Sequence, residues 1–138
     1  MRNIIVDTSV VTKWYAQEKE GDLKQAFRLL EVCSEGKLSL VCPTIILLEL
    51  ANALYWGKKL DQSLCLESVR SFANLCTKLL DVDHTERIVK IMYVHTLASY
   101  DAAFISLAIE KNMPFVTADY QHHKKSISPH IVWLSDWK

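Results

Sequence analysis

The sequence predicts an α/β fold with a mostly parallel central sheet and helices on both faces. Short apolar runs alternate with amphipathic segments along the chain, and no hairpin signal joins any two of the runs. Glycine and proline number only three each, which disfavours an all-β protein built on tight turns. The chain has 138 residues, half of them hydrophobic, enough for one domain with its own core. We therefore expect residues 1–138 to form a single domain, without repeats, low-complexity tracts or a linker.

The first strand is Asn3-Ile4-Ile5-Val6, ended by Asp7. Ser9 can cap a short helix through Ala16. Leu23, Ala26, Phe27, Leu30 and Val32-Cys33 recur at three and four residues, the pattern of an amphipathic helix, and Gly36 suits its C′ position. Leu38 to Cys42 reads as a strand. Pro43 fits the first turn of the next helix, where a missing N–H is harmless. That helix runs to Trp56, stops at Gly57 and is apolar nearly all round, so it should be deeply packed.

Asp61 opens a helix through Leu75, and Leu79 to Val82 follows as a strand. Asp83 with Glu86 resembles a capping box for a helix carrying Ile88, Ile91 and Met92. Ser99 starts another, Asp101 to Lys111, ended by Asn112 and Pro114. Phe115 to Ala118 is a strand closed by Asp119. A polar loop from Tyr120 to Ser128 leads to the last strand, Ile131 to Leu134.

Composition excludes several classes of function. Formal charge is zero, so no global basic field marks a nucleic-acid binder, although a local patch could suffice. The cysteines at 33, 42, 65 and 76 form no CxxC pair, which argues against a zinc ribbon and for free thiols in a reducing compartment. The apolar run before Asp7 is too short for a signal peptide, and no run approaches a membrane span. A cytoplasmic protein is the expectation.

The chemistry lies in Asp7, Glu49, Asp101 and Asp119. Asp7 and Asp119 each end an apolar strand, where ligands of open α/β sheets sit. Asp101 opens a helix, and Glu49 is the one charge in the segment from Pro43 to Trp56. Each has an ordinary reading as a cap, a turn residue or a wet stripe. Together they would repel one another unless a cation or a shared proton intervenes. All-oxygen ligation suits Mg²⁺ or Mn²⁺, and such a site suits phosphoryl chemistry. Ser9, Thr8 and Thr117 can orient the carboxylates. His122 and His123 read as part of a solvated loop. Lys58-Lys59 and Lys124-Lys125 read as exposed charge, and Trp14, Tyr55 and Trp56 as core or dimer packing.

Four segments in order resemble the PIN-domain ribonucleases, most of all the VapC-type toxins of toxin–antitoxin modules. They are Val6-Asp7-Thr8-Ser9-Val10-Val11, Glu49-Leu50-Ala51-Asn52-Ala53-Leu54, Tyr100-Asp101-Ala102-Ala103 and Val116-Thr117-Ala118-Asp119. The resemblance implies a Rossmann-like three-layer α/β/α sandwich. It also implies metal-dependent hydrolysis of RNA that leaves a 5′-phosphate and a 3′-hydroxyl. Asp7, Glu49, Asp101 and Asp119 then become catalytic residues and ligands of Mg²⁺ or Mn²⁺, with Ser9 and Thr117 in support. A cognate antitoxin and a homodimer are the implied partners. The sequence departs from the pattern after Asp119, where an aromatic or apolar anchor is usual and Tyr120-Gln121-His122-His123 stands. A catalytically weak RNA- or protein-binding module, and a DNA nuclease or phosphatase using the same acids, are the alternatives.

Overall fold

The computed structural model describes residues 2–76 and 78–137. Met1, Thr77 and Lys138, which the expected domain includes, lie outside them. Strands β1 (Arg2–Val6), β2 (Leu38–Pro43), β3 (Lys78–Leu80), β4 (Phe115–Thr117) and β5 (Ile131–Trp133) form one five-stranded sheet in the order β3-β2-β1-β4-β5. All its pairings are parallel. The connections carry α1 (Thr8–Tyr15), α2 (Leu23–Ser34), α3 (Ile46–Asn52), α4 (Gln62–Leu75), α5 (Thr85–His95) and α6 (Ser99–Lys111).

Ile4 and Ile5 point to opposite faces of β1, yet both are fully buried. The sheet is therefore covered on both sides, which is why its central strand is apolar without alternation. The sheet order reverses at β1, with β2 on one side and β4 on the other. Beyond the carboxyl ends of β1 and β4 lies the crevice that such a reversal opens. The N–H of Asp7 donates to the carbonyl of Val116 at 2.9 Å, so the two strands end in register there.

Several helix ends differ from expectation. Pro43 is the last residue of β2, paired with Leu80, and α3 begins only at Ile46. Asp7, not Ser9, occupies the N-cap position of α1. His84, in the left-handed region at φ 56°, precedes α5 in place of Asp83. Gly36 does close α2, at φ 73°, with its N–H on Cys33 and that of Lys37 on Val32. Asp61 caps α4 through Leu64 N at 2.9 Å.

The deepest helix is α6 rather than α3. Residues Ala102 through Ala108 are all buried. The segment after Pro43 packs Ile46, Leu50 and Leu54 inward but leaves Leu48, Tyr55 and Trp56 at 66%, 59% and 73% exposure. It is also not one regular helix, because Ala53–Gly57 widens into a π turn. The cysteines are free, with Cys42 and Cys76 buried. Trp14 is buried, and its Nε1 donates to the carbonyl of Ala26 at 2.7 Å, tying α1 to α2.

Candidate active site

Asp7 stands at the end of β1 with 5% of its surface exposed. Its N-cap position suggests a capping carboxylate, but the side chain makes no capping bond. Instead its Oδ2 accepts from Ser9 Oγ at 2.8 Å and from Thr117 Oγ1 at 2.9 Å. Both hydroxyls are themselves held. Ser9 Oγ accepts from the N–H of Ala118, and Thr117 Oγ1 from the N–H of Asp119, at 2.9 and 3.0 Å. Each hydroxyl thus spends its proton on Asp7 and its lone pair on the backbone of the β4 end. The carboxylate is oriented by one hydroxyl from α1 and one from β4, both anchored to the backbone after β4. Burial raises the Asp7 pKa; the His123 charge and the two hydroxyl bonds oppose that rise, and Asp101 adds to it.

Asp119 follows β4, and its N–H closes the turn onto Thr117. The next residues make a helical turn, with the N–H of His123 on the carbonyl of Asp119 at 3.0 Å. That turn separates the two histidines. His122 stays exposed and pairs through Nδ1 with Asp119 Oδ2 at 2.9 Å. His123 is fully buried, against the expectation of a solvated loop. Its ring meets Phe115 edge-on at 4.9 Å, and Trp133 Nε1 donates to its carbonyl at 3.0 Å. Its Nε2 lies 3.4 Å from Asp101 Oδ1 and 3.9 Å from Asp7 Oδ2. Burial alone would lower the imidazole pKa, but Asp101, Asp7 and Asp119 together raise it.

Asp101 sits in the first turn of α6, where the amide ends of the helix favour an acid. Glu49 projects from α3 and accepts from Thr8 Oγ1 at 3.1 Å. Its carboxyl is pushed up to about 7, by burial first and then by the charges of Asp7 and Asp101, against the Thr8 hydrogen bond. Partial burial and the charges of Asp7 and Asp101 both act on this carboxyl, so it does not lie on a wet helix stripe.

The PIN domain family model matches residues 4–127. The chain belongs to the PIN-domain family. Among curated proteins none matches it by sequence. Solved structures are similar in fold across nearly its whole length. PAE2754 from Pyrobaculum aerophilum superposes with a TM-score of 0.70 at 15% identity, covering 97% of this chain and 92% of that one. VapBC2 from Rickettsia felis, bound to a DNA fragment from its promoter, gives 0.67 at 15% identity, with 95% and 96% covered. VapC20 from Mycobacterium tuberculosis, a Sarcin-Ricin loop cleaving toxin, gives 0.66 at 14% identity, with 91% and 93% covered.

A PIN domain implies a divalent cation, and the donors here fit one. Asp101, Asp119 and His123 each offer an atom within 4.8 Å of the others. Asp7 Oδ2, at the end of β1, lies 3.9 Å from the same His123 Nε2. Glu49 faces this group electrostatically, coupled to Asp7 and Asp101. Of the acids expected from the sequence, Asp101 and Asp119 are gathered together with His123, while Glu49 is held from α3 by Thr8. His123 is the residue that sequence reasoning passed over. The signal was its spacing: four residues after a strand-ending acid, a single helical turn brings a side chain back beside that acid.

Proposed function

We propose that this PIN-domain protein is a divalent-metal-dependent endoribonuclease, the toxin of a toxin–antitoxin pair, that hydrolyses RNA phosphodiester bonds. The observation that carries this reading is the gathering of Asp101, Asp119 and His123, with donor atoms within 4.8 Å of one another, and the approach of Asp7 Oδ2 to the same buried imidazole at 3.9 Å. The PIN family match supports it, as does the likeness in fold to VapC20, a Sarcin-Ricin loop cleaving toxin. Structural neighbours from Klebsiella pneumoniae and Salmonella typhimurium are toxin–antitoxin and VapBC complexes, which supports an antitoxin partner.

In this reading Asp7, Glu49, Asp101 and Asp119 are the catalytic acids and hold Mg²⁺ or Mn²⁺. The ion, when bound, supplies Lewis acidity toward a phosphate. Ser9 and Thr117 fix the Asp7 carboxylate through their hydroxyls. Glu49, which accepts from Thr8 Oγ1, faces the same cluster from α3. The chain acts as one domain, 1–138, as a homodimer in the cytoplasm. No helix of the described residues is long and apolar enough to cross a membrane.

The test gives purified protein and Mn²⁺ to labelled RNA and DNA pools, beside Asp7→Asn. RNA should be cut, DNA spared and the variant inactive by at least about a hundredfold, the loss expected when several kcal/mol of charge stabilisation go. Cleavage of DNA alone would point to the nuclease alternative. Mn²⁺ binding without any cleavage would leave a binding module.

A further inference from the structure

We propose that His123 is a nitrogen ligand of the metal site, giving this protein a mixed imidazole–carboxylate centre that prefers Mn²⁺ to Mg²⁺. This rests on the reading of the acidic cluster as a metal site. The independent observation is the state of the ring itself. It is fully buried, and among the described residues neither Nδ1 nor Nε2 has a hydrogen-bond partner.

Orphaned polar atoms of that kind are rare in folded proteins and ask for a reason, an ion among them. Nε2 is not turned toward apolar surface. It faces Asp101 Oδ1 at 3.4 Å and Asp7 Oδ2 at 3.9 Å, distances at which two donors can share a cation without bonding each other. The ring has little freedom to turn elsewhere. It packs at right angles to Phe115, and the His123 backbone is fixed at both ends, its N–H donating to the carbonyl of Asp119 and its carbonyl accepting from Trp133 Nε1. Imidazole nitrogen is a ligand of first-row transition ions, whereas an all-oxygen set of carboxylates and water serves Mg²⁺ and Mn²⁺ alike. A nitrogen in the donor set therefore shifts preference along the series without changing the carboxylates.

The experiment measures ion binding without substrate. Calorimetry with Mn²⁺ and with Mg²⁺ is run on the wild type, His123→Phe, His123→Gln and Asp101→Asn. Mn²⁺ bound to the wild type is also examined by pulsed electron paramagnetic resonance for coupling to imidazole nitrogen-14. The wild type should show that coupling, which requires no variant to fold. His123→Phe keeps the ring volume and should weaken Mn²⁺ by about tenfold or more, the scale seen when a metal's supporting contacts are lost, while Mg²⁺ changes little. His123→Gln should behave likewise. Absence of nitrogen coupling in Mn²⁺-loaded wild type overturns the proposal, and so does tighter binding of both ions by the His123 variants, which would make the ring a resident cation competing with metal. If instead Asp101→Asn binds Mn²⁺ as well as the wild type does, or the wild type binds none, the acidic cluster is not the metal site, and both readings fall.

Discussion

Thr117 Oγ1 donates to Asp7 Oδ2 at 2.9 Å, joining residues 110 positions apart at the ends of adjacent parallel strands. The same oxygen receives the N–H of Asp119. One buried hydroxyl thus links two acids of the site, donating to one and accepting from the backbone of the other. Thr117→Val keeps the branched shape and removes both bonds. We expect a loss of about 2 kcal/mol in stability, the usual cost of leaving a buried polar group unpaired. The loss should grow with pH. The Thr117 bond lowers an Asp7 pKa that burial has raised, so removing it raises that pKa further. The folded state then holds the proton more tightly than the unfolded chain, and stability falls as pH rises through the folded value. Urea melts of metal-free protein at pH 5 and pH 8 check this; an equal deficit at both would separate Thr117 from the charge on Asp7.

Glu49 gives a second pH signature. Its carboxyl lies at about 7 against an ordinary 4.5, raised by burial first and by Asp7 and Asp101 after it. Between those values the folded protein binds a proton that the unfolded chain has released, so stability declines as pH rises across that window. Glu49→Gln removes the titration while keeping an acceptor for Thr8. With chelator present, the variant should melt close to the wild type at pH 4.5 and several degrees above it at pH 8. A variant that melts below the wild type at pH 8 would mean that the Thr8 bond outweighs the crowding of charge.

The outline of the fold was legible because a parallel sheet buried on both faces needs unbroken apolar strands, and Ile4-Ile5-Val6 and Phe115-Val116 are such runs. The acids at 7 and 119 were legible for the same reason, since each ends a run abruptly. Cap positions were less so. Asp, Ser and Thr all suit an N-cap, and the choice between Asp7 and Ser9 was made by a tertiary contact to β4 that local sequence does not carry. Pro43 was drawn into β2 by its pairing with β3, again a long-range effect. His123 was missed because polar neighbours on both sides read as loop. What buries it is the ring of Phe115 and the helical turn from Asp119.

The loop after α1 depends on one acid between two lysines. Glu20 Oε1 lies 2.9 Å from Lys13 Nζ, and its Oε2 lies 2.6 Å from Lys58 Nζ. Lys13 is buried, and Lys58 is largely covered rather than part of a solvated pair with Lys59. Burial would raise the Glu20 pKa, but the hydrogen bonds and charges of Lys58 and Lys13 lower it. A lowered carboxylate stabilises the fold above its unfolded pKa, and the gain is lost as pH falls through the folded one. Glu20→Gln strands the charge of Lys13 beside the carbonyl of Gly21. It should cost about 2 kcal/mol at pH 7, below the value for a wholly buried pair. The gap from wild type should narrow in acid. Denaturant titrations at pH 7 and pH 3 test both statements, and a gap that widens in acid would contradict the ion-pair account.

The segment after β2 was expected to be buried all round, and its outward face is instead an apolar surface. Leu48 on α3 and Tyr55 and Trp56 on the π turn are exposed, with the two rings edge to face at 4.7 Å. An open groove lined by Ala51, Tyr55, Leu60, Leu66 and Val69 continues this face toward α4. A contiguous surface of this kind marks an interaction site more often than chance exposure. Within the proposed homodimer it is the surface we expect to be covered. Leu48→Glu with Trp56→Glu should turn a dimer into a monomer, as read by light scattering across the micromolar range. Because these side chains make few contacts within the chain, each substitution should change the stability of the monomer by less than about 0.5 kcal/mol. Tyr93 and Val94 on α5, at 82% and 73% exposure, provide the control. If Tyr93→Glu dissociates the dimer while the Leu48 and Trp56 variant does not, the copies meet through α5, and the groove beside α4 lies outside the dimer contact.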